Sequence, residues 1–440
     1  NQRPRTLASA RKHYTGNCWN QRHERKVRFS LNCVTGGVTN VSYQLLNKEK
    51  RIYVRETSKQ ALRNVDKIIF DFDGVLAQTS QSYRQTIRKV VDYYFFEILQ
   101  LEGEQGKLAT LLDIQKFKDT GLYNNDWHLS YGLISYYMNL ILRKLEQKSV
   151  FQDFKKQFGA IKFTDVQSFI NELKEVGKFL REVEINGAYL TRLKDSDVVG
   201  LDLFLAKASL EKPKPVEKSL LGVDPEAVEE KEILVKQLVP YDLEKPDLLK
   251  RLFEEIYLGK DLFSKIYGEN AFFGFDSSLM DIEEFIPTEQ TLKALKVQFG
   301  TFGIYSGRPK PQGVYVLEKY GYMEYFDETE SVFLGDLLKS EAEMERFGKP
   351  DPTLFVKLIQ KMVENGTRIV YVGDGIADAI LIKKAKALGF DNLSFLGVVS
   401  SSEDSNKLFT EYSKHGADAV VTDVNDVPYL FTSLKGSVKQ

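Results

Sequence analysis

From about Thr288 the chain alternates strand and helix with little between them. Helix-like TEQTLKALK leads to VQFGTFGIYSG, then helix-like QGVYVLEKYG and the strand SVFLGD. The helix PTLFVKLIQKM, the strand RIVYVGD, the helix IADAILIKKAKAL, the strand LSFLGVVS and a terminal ADAVVTDV complete the series. A helix between two strands carries the chain back to the edge it started from, so the pattern specifies a parallel sheet with helices on both faces. Ligands bind such sheets outside the carboxyl ends of the strands. Ser306 and Asp374 stand at those ends. One further strand lies far upstream, in VDKIIFDFDGVLAQTS, where Ile68, Ile69 and Phe70 run into Asp71 and Asp73. It joins the same sheet, which leaves residues 79–287 as one helical insertion. The division is a core of residues 61–78 plus 288–440, the insertion, and an N-terminal basic appendage and hairpin over residues 1–60.

Burying one unpaired carboxylate is expensive, and burying two close together is worse. Asp71 and Asp73 therefore either cap the strand in solvent or share a cation. Their spacing is a strand's period of two, so their side chains start on one side of the chain. GDGIAD adds Asp374 and Asp378, with Gly373 and Gly375 allowing close backbone approach. Four carboxylates at one sheet edge repel unless a hard divalent cation sits among them. Magnesium (Mg2+) suits, since it takes a few carboxylate oxygens and keeps waters and phosphate oxygens as its other ligands. FGKPDP supplies Lys349 as a point charge for a phosphoryl group, and Ser306 supplies a hydroxyl. A carboxylate nucleophile beside these groups is the equipment of phosphoryl transfer. Each segment alone is a common turn or loop; their order along one sheet carries the reading.

DFDGV, IYSGRP, GKPDPTLF and YVGDGIAD, in that order, resemble the four motifs of the haloacid dehalogenase superfamily. The resemblance covers residues 66–80 and about 288–430 and implies a Rossmann-like α/β core. It implies Asp71 as nucleophile forming an aspartyl-phosphate, and Asp73 protonating the leaving oxygen and then activating water. It implies Ser306 and Lys349 as holders of the phosphoryl oxygens; Gly307 and Arg308, just after Ser306, are candidate substrate contacts, with Arg308 otherwise pairing a surface acid. Magnesium would be held by Asp71, Asp374, Asp378 and the Asp73 carbonyl. The second acid sets the chemistry: Asp at position 73 suits phosphatases and mutases, threonine would suggest an ATPase and tyrosine a dehalogenase. The insertion resembles the superfamily's helical cap between the first and second motifs, and the stretch from Ser306 to Lys349 is too short for the alternative α/β cap. FKDTGLYNNDWHLSYGLI and EEIYLGKDLF resemble a phosphatase-like subfamily with poorly defined substrates. Gln78 stands where relatives often have an acidic residue, which bears on the hinge into the cap. The expected activity is a magnesium-dependent phosphomonoesterase on a small phosphorylated metabolite. The alternatives are a phosphomutase on the same core, or a non-catalytic binding protein using the basic N-terminus.

Within the insertion, Tyr83, Ile87, Val90, Val91, Tyr94 and Ile98 recur at helical spacing, as do Leu129, Leu133, Tyr137, Leu140 and Ile141. Both stripes read as core before they read as a substrate wall. Asn124 to Asp126 form a candidate N-cap, and Asn125, Asp126 and Trp127 are candidates for cap-side recognition. FTDVQSFINELKEVG and KPDLLKRLFEEIYLG read as further helices, and the Pro- and charge-rich stretch from Ser209 to Lys231 as a surface loop.

A net charge of −1 offers no global attraction for nucleic acid or acidic lipid. No apolar run approaches the roughly 18 residues that span a bilayer. Cys18 and Cys33 are the only cysteines, which excludes a disulfide framework and points to a reducing, cytoplasmic setting. Residues 1–30 carry Arg3, Arg5, Arg11, Lys12, Arg22, Arg25, Lys26 and Arg28 against Glu24 alone. Such an arm reads as a solvated appendage, a transit segment or a nucleic-acid contact. His13, Cys18, His23 and Cys33 match no standard zinc spacing. TGGVTNVSYQLL followed by RIYVRE reads as a hairpin; a kinase-type nucleotide hairpin would need a downstream His-x-Asp, which the chain lacks. Oligomeric state leaves no mark in the sequence.

Overall fold

The computed structural model describes residues 42–119, 126–196, 200–210, 225–240, 247–338, 343, 346–402 and 404–436. The basic arm, the Gly36–Gly37 turn, Asn124, Asn125 and most of the Pro-rich stretch lie outside these residues. Among the described residues no helix is long and apolar enough to cross a membrane.

Among the described residues ten strands form two sheets: β1 Tyr43–Asn47, β2 Ile52–Arg55, β3 Lys67–Phe70, β4 Ala77–Gln78, β5 Glu284–Phe285, β6 Gly303–Ser306, β7 Val332–Phe333, β8 Ile369–Gly373, β9 Leu393–Val398 and β10 Ala419–Val421. Eight make the main sheet in the order β1-β2-β10-β9-β8-β3-β6-β7. The six from β3 to β10 in this sheet run parallel, as the alternation of strand and helix requires. The hairpin β1–β2 adds antiparallel to β10 and so extends the sheet. Its turn is at Lys48–Arg51, with Arg51 left-handed at φ 50°.

Successive strand residues point to opposite faces, and both faces are apolar, which is the mark of a sheet buried on both sides. Ile68, Phe70, Val370, Val372, Leu396 and Val398 face one core, and Ile69, Ile369, Tyr371, Leu393 and Phe395 face the other. The second face is covered by helices Thr353–Glu364, Ile376–Ala387 and Ser405–His415, through Phe355, Ile359, Leu381, Ile382 and Tyr412. Helices Glu289–Phe299 and Val427–Gly436 cover the first through Leu292, Leu295, Leu430 and Leu434. The expected strand SVFLGD is a strand only at Val332–Phe333; Leu334–Leu337 turns helical. It is the last strand of the sheet among the described residues, with none of these on its outer side to hold it extended.

The described part of the insertion is mostly helical, with loops between the helices and the short strand β5 at its end. Helix Ser80–Asp92 continues as a wide turn over Tyr93–Ile98 and packs on Asp126–Gln147 and Leu248–Tyr267. Ile87, Val90, Val91, Tyr94, Ile98, Leu129, Leu133, Tyr137, Leu140 and Ile141 are all buried, so the two stripes are core except for Tyr83, which is half-buried beside Arg308. Helix Val166–Glu182 starts at Asp165, whose carboxylate accepts from Ser168 N, and Leu248–Tyr267 starts at Asp247, whose carboxylate accepts from Lys250 N. Leu248–Tyr267 bends sharply at Gly259 (φ 68°, ψ 167°), and Lys260 N donates to Phe275 O at 2.7 Å. The chain leaves the core through β4 and returns through β5. The two pair antiparallel, with Ala77 opposite Phe285 and Gln78 opposite Glu284. Gln78 thus takes an ordinary ladder position, and its side chain accepts from Ser80 Oγ at 3.1 Å.

Candidate active site

Parallel register places three loops side by side. Phe70 pairs with Ile304 on one side and Val372 on the other, so Ser306 and Asp374 come level with the residues just past β3. Asp71 N donates to Val372 O at 2.8 Å, which holds the first residue after the strand against β8. Asp71 Oδ1 accepts from Phe72 N at 2.8 Å and pairs with Lys349 Nζ at 2.7 Å. Lys349 reaches Asp378 Oδ1 at 2.9 Å and the Tyr371 hydroxyl at 2.7 Å. Asp378 Oδ2 accepts from Gly375 N at 3.0 Å, which fixes this carboxylate at the start of helix Ile376–Ala387.

Asp71, Asp374 and Asp378 each offer an oxygen within 4.8 Å of the other two. Burial raises the Asp71 pKa well above the carboxylate range; Lys349 opposes this, while Asp378 and Asp374 add to it. Asp374 is pushed up to about 7 by burial and then by Asp378. Burial works against charge on Lys349, but Asp378 and Asp71 outweigh it and its pKa rises above the ordinary lysine value. One lysine among these three carboxylates, Asp71 and Asp378 buried and Asp374 half-buried, leaves the cluster short of positive charge. The donor set, all carboxylate oxygen and short of positive charge, fits a hard divalent cation such as magnesium.

Asp73 does not point into this cluster. β3 ends at Phe70, so the period of two no longer applies at Asp73. Gly74 has φ +76°, and Leu76 N and Ala77 N both donate to Phe72 O, closing a tight turn. The Asp73 carboxylate instead meets Arg308, whose Nε and Nη2 lie 2.9 and 2.7 Å from Oδ1. The four-carboxylate convergence expected from the spacing is therefore three carboxylates with Asp73 beside them. The Asp73 side chain keeps 32% of its surface open. It lies deep enough that loss of solvent still raises its pKa; Arg308 opposes the shift and Glu283 adds to it.

Arg308 is fully buried rather than pairing a surface acid. Its guanidinium lies over the rings of Phe72 (4.8 Å) and Tyr83 (5.7 Å), and Nη2 also meets Glu283 Oε2 at 2.9 Å. Nη1 is buried without a hydrogen-bond partner among the described residues. Ser306 Oγ accepts from Arg308 N at 3.2 Å and keeps its own hydrogen to donate. Gly307 is exposed, and nothing lies within 4 Å of where a Cβ would be. On the cap side, Tyr83 stacks on Tyr257 with ring centroids 4.9 Å apart. Trp127 packs edge-on against Phe253, with Lys250 Nζ 5.1 Å from its ring centre, and Asp126 pairs with Lys118 at 2.9 Å.

A family model described as haloacid dehalogenase-like hydrolase matches residues 65–386. The chain belongs to the haloacid dehalogenase-like hydrolases. No curated protein matches this hydrolase in sequence. A structural-genomics target superposes with a TM-score of 0.57 at 20% identity, covering 84% of this chain and 99% of that one, which shows a shared fold. A phosphatase from Thermococcus thioreducens (TM-score 0.39, 18% identity, 79% and 98% covered) is more distant. So is a β-phosphoglucomutase from Clostridium difficile (TM-score 0.32, 13% identity, 86% and 100% covered).

Sequence reasoning for this hydrolase missed Glu283 and Tyr371. In the sequence Tyr371 reads only as a strand residue, and its hydroxyl meets Lys349 because β8 neighbours the Lys349 loop. Glu283 carries no local signal, since one of its partners, Ser82, is 201 positions away.

Proposed function

We propose that the chain is a magnesium-dependent phosphomonoesterase acting on a small phosphorylated metabolite through an aspartyl-phosphate at Asp71. The observation that carries this reading is the Asp71 carboxylate, held by Lys349 at 2.7 Å and grouped with Asp374 and Asp378. In the first step an Asp71 oxygen attacks phosphorus and the ester oxygen leaves with its electron pair. Asp73, next to the cluster, gives that oxygen its proton. Asp73 then takes a proton from water as the water attacks phosphorus, so phosphate departs and Asp71 is regenerated. Lys349 orients Asp71 and, with the Ser306 hydroxyl, offers donors to the phosphoryl oxygens. Asp71, Asp374, Asp378 and the Asp73 carbonyl would hold magnesium, which supplies positive charge against the phosphoryl oxygens. The cap limits water until the aspartyl-phosphate has formed.

The test is phosphate release from p-nitrophenyl phosphate and a panel of metabolite phosphates, with magnesium, with EDTA, and with Asp71→Asn. Turnover that requires both the metal and Asp71 is expected. Turnover surviving in Asp71→Asn would overturn the assignment of the nucleophile.

A further inference from the structure

Glu283 stands where the insertion's chain re-enters the core, one residue before β5. Its side chain is fully buried, so its charge must be matched by specific partners. Both oxygens are used. Oε1 accepts from the Ser82 hydroxyl and the Tyr257 hydroxyl, each at 2.6 Å. Ser82 lies at the start of the outgoing helix, and Tyr257 lies in the cap helix Leu248–Tyr267. Oε2 accepts from Arg308 Nη2, the same nitrogen that pairs with Asp73 Oδ1. A continuous line of hydrogen bonds thus runs from two cap helices through Glu283 and Arg308 to the carboxylate beside the nucleophile.

The guanidinium fork is planar and always charged, so its orientation follows the carboxylates it bridges. Arg308 has no acidic partner in this site besides Asp73 and Glu283 among the described residues. Phe72 and Tyr83 flank its plane but set no direction within it. We infer that Glu283 is a positioning residue: through Arg308 it aims the Asp73 carboxylate, and the hydroxyls of Tyr257 and Ser82 make that aim depend on where the cap sits. Moving helix Leu248–Tyr267 away withdraws the Tyr257 hydroxyl, which lets the Glu283 carboxylate turn and Arg308 turn with it. The proton donor is then out of place whenever the cap is out of place, so the leaving oxygen is protonated only over an enclosed substrate. This rests on the reading of Asp73 as proton donor to the leaving group.

The experiment compares kcat/KM for p-nitrophenyl phosphate with that for an alkyl phosphate from the panel, in wild type, Glu283→Gln and Tyr257→Phe. This parameter covers the steps through departure of the leaving group. Nitrophenolate departs without a proton, whereas an alkoxide needs one. The alkyl-to-aryl ratio is expected to fall by about tenfold or more in Glu283→Gln, and in the same direction by less in Tyr257→Phe. Equal losses on both substrates, with or without a lower melting temperature, would mean a structural ion pair and overturn the inference. Should Glu283→Gln fail to fold, Tyr257→Phe, which lacks only one hydroxyl, decides by the same ratio. A wild type that releases phosphate from no substrate overturns the phosphatase reading as well; turnover with an unchanged ratio overturns the positioning role alone.

Discussion

A Cβ placed on Gly74 would stand 1.9 Å from Asp374 Oδ2. The turn after β3 therefore packs directly on the carboxylate that follows β8. With φ at +76°, position 74 also disfavours any L side chain. Gly74→Ala is expected to lower stability by more than about 1 kcal/mol and to cut phosphate release by about 100-fold, because Asp374 must move. Urea unfolding and steady-state kinetics read the two effects. Normal activity would show that Asp374 need not stay in place.

Among the described residues Lys349 is the one cation paired with Asp71 and Asp378. Its replacement by Met leaves both carboxylates buried without their countercharge. The expected loss of stability at pH 7.5 is about 3–5 kcal/mol, partly recovered on adding magnesium. Chemical denaturation with and without the metal would check this, and insensitivity to both would remove the charge argument.

Asp374 is expected to be a metal ligand whose charge is unwelcome when the metal is absent, since burial and Asp378 push its pKa to about 7. Asp374→Asn should melt no lower than wild type in EDTA. It should lose the thermal shift that magnesium produces and require at least about tenfold more magnesium for half-maximal activity. A metal-induced shift equal to that of wild type would count against Asp374 as a ligand.

Glu254 gives a pH dependence away from the metal cluster. It is buried between cap and core, with Oε2 accepting from Tyr267 OH at 3.0 Å and from Gln312 Nε2 at 3.1 Å. Burial raises its pKa from 4.5 to about 7, so the folded chain binds this proton more tightly than the unfolded chain. The stability contributed is fully present below about pH 4.5 and is lost as pH rises through about 7, up to about 3 kcal/mol. Glu254→Gln, which stays neutral, should match wild type near pH 5 and melt higher at pH 8. Parallel melting curves across that range would show that Glu254 is charged in the folded state.

Much of the site was legible because its signals are local. Asp71, Ser306 and Asp374 each end or follow an apolar strand, and the carboxyl ends of parallel strands are where such sheets bind ligands, so their order along one sheet could be read locally. The sheet's parallel core was legible for a similar reason, since each strand is paired with a helix of its own. The direction of Asp73 was not. Strand period holds only while the strand lasts, and β3 stops at Phe70.

The sequence by itself determined the α/β core, the placement of the helical insertion after the first strand, and three carboxylates of the cluster, Asp71, Asp374 and Asp378. Periodicity and motif spacing act over a few turns of chain, and those features need no more. Tertiary structure alone decided that the hairpin β1–β2 completes the sheet edge. It alone decided that Asp73 turns to Arg308, 235 positions away, and that Glu283 joins Arg308 to Ser82 and Tyr257. The physical reason is that a buried charge takes whatever partner the fold brings within reach, and nothing in the local sequence marks which partner that will be.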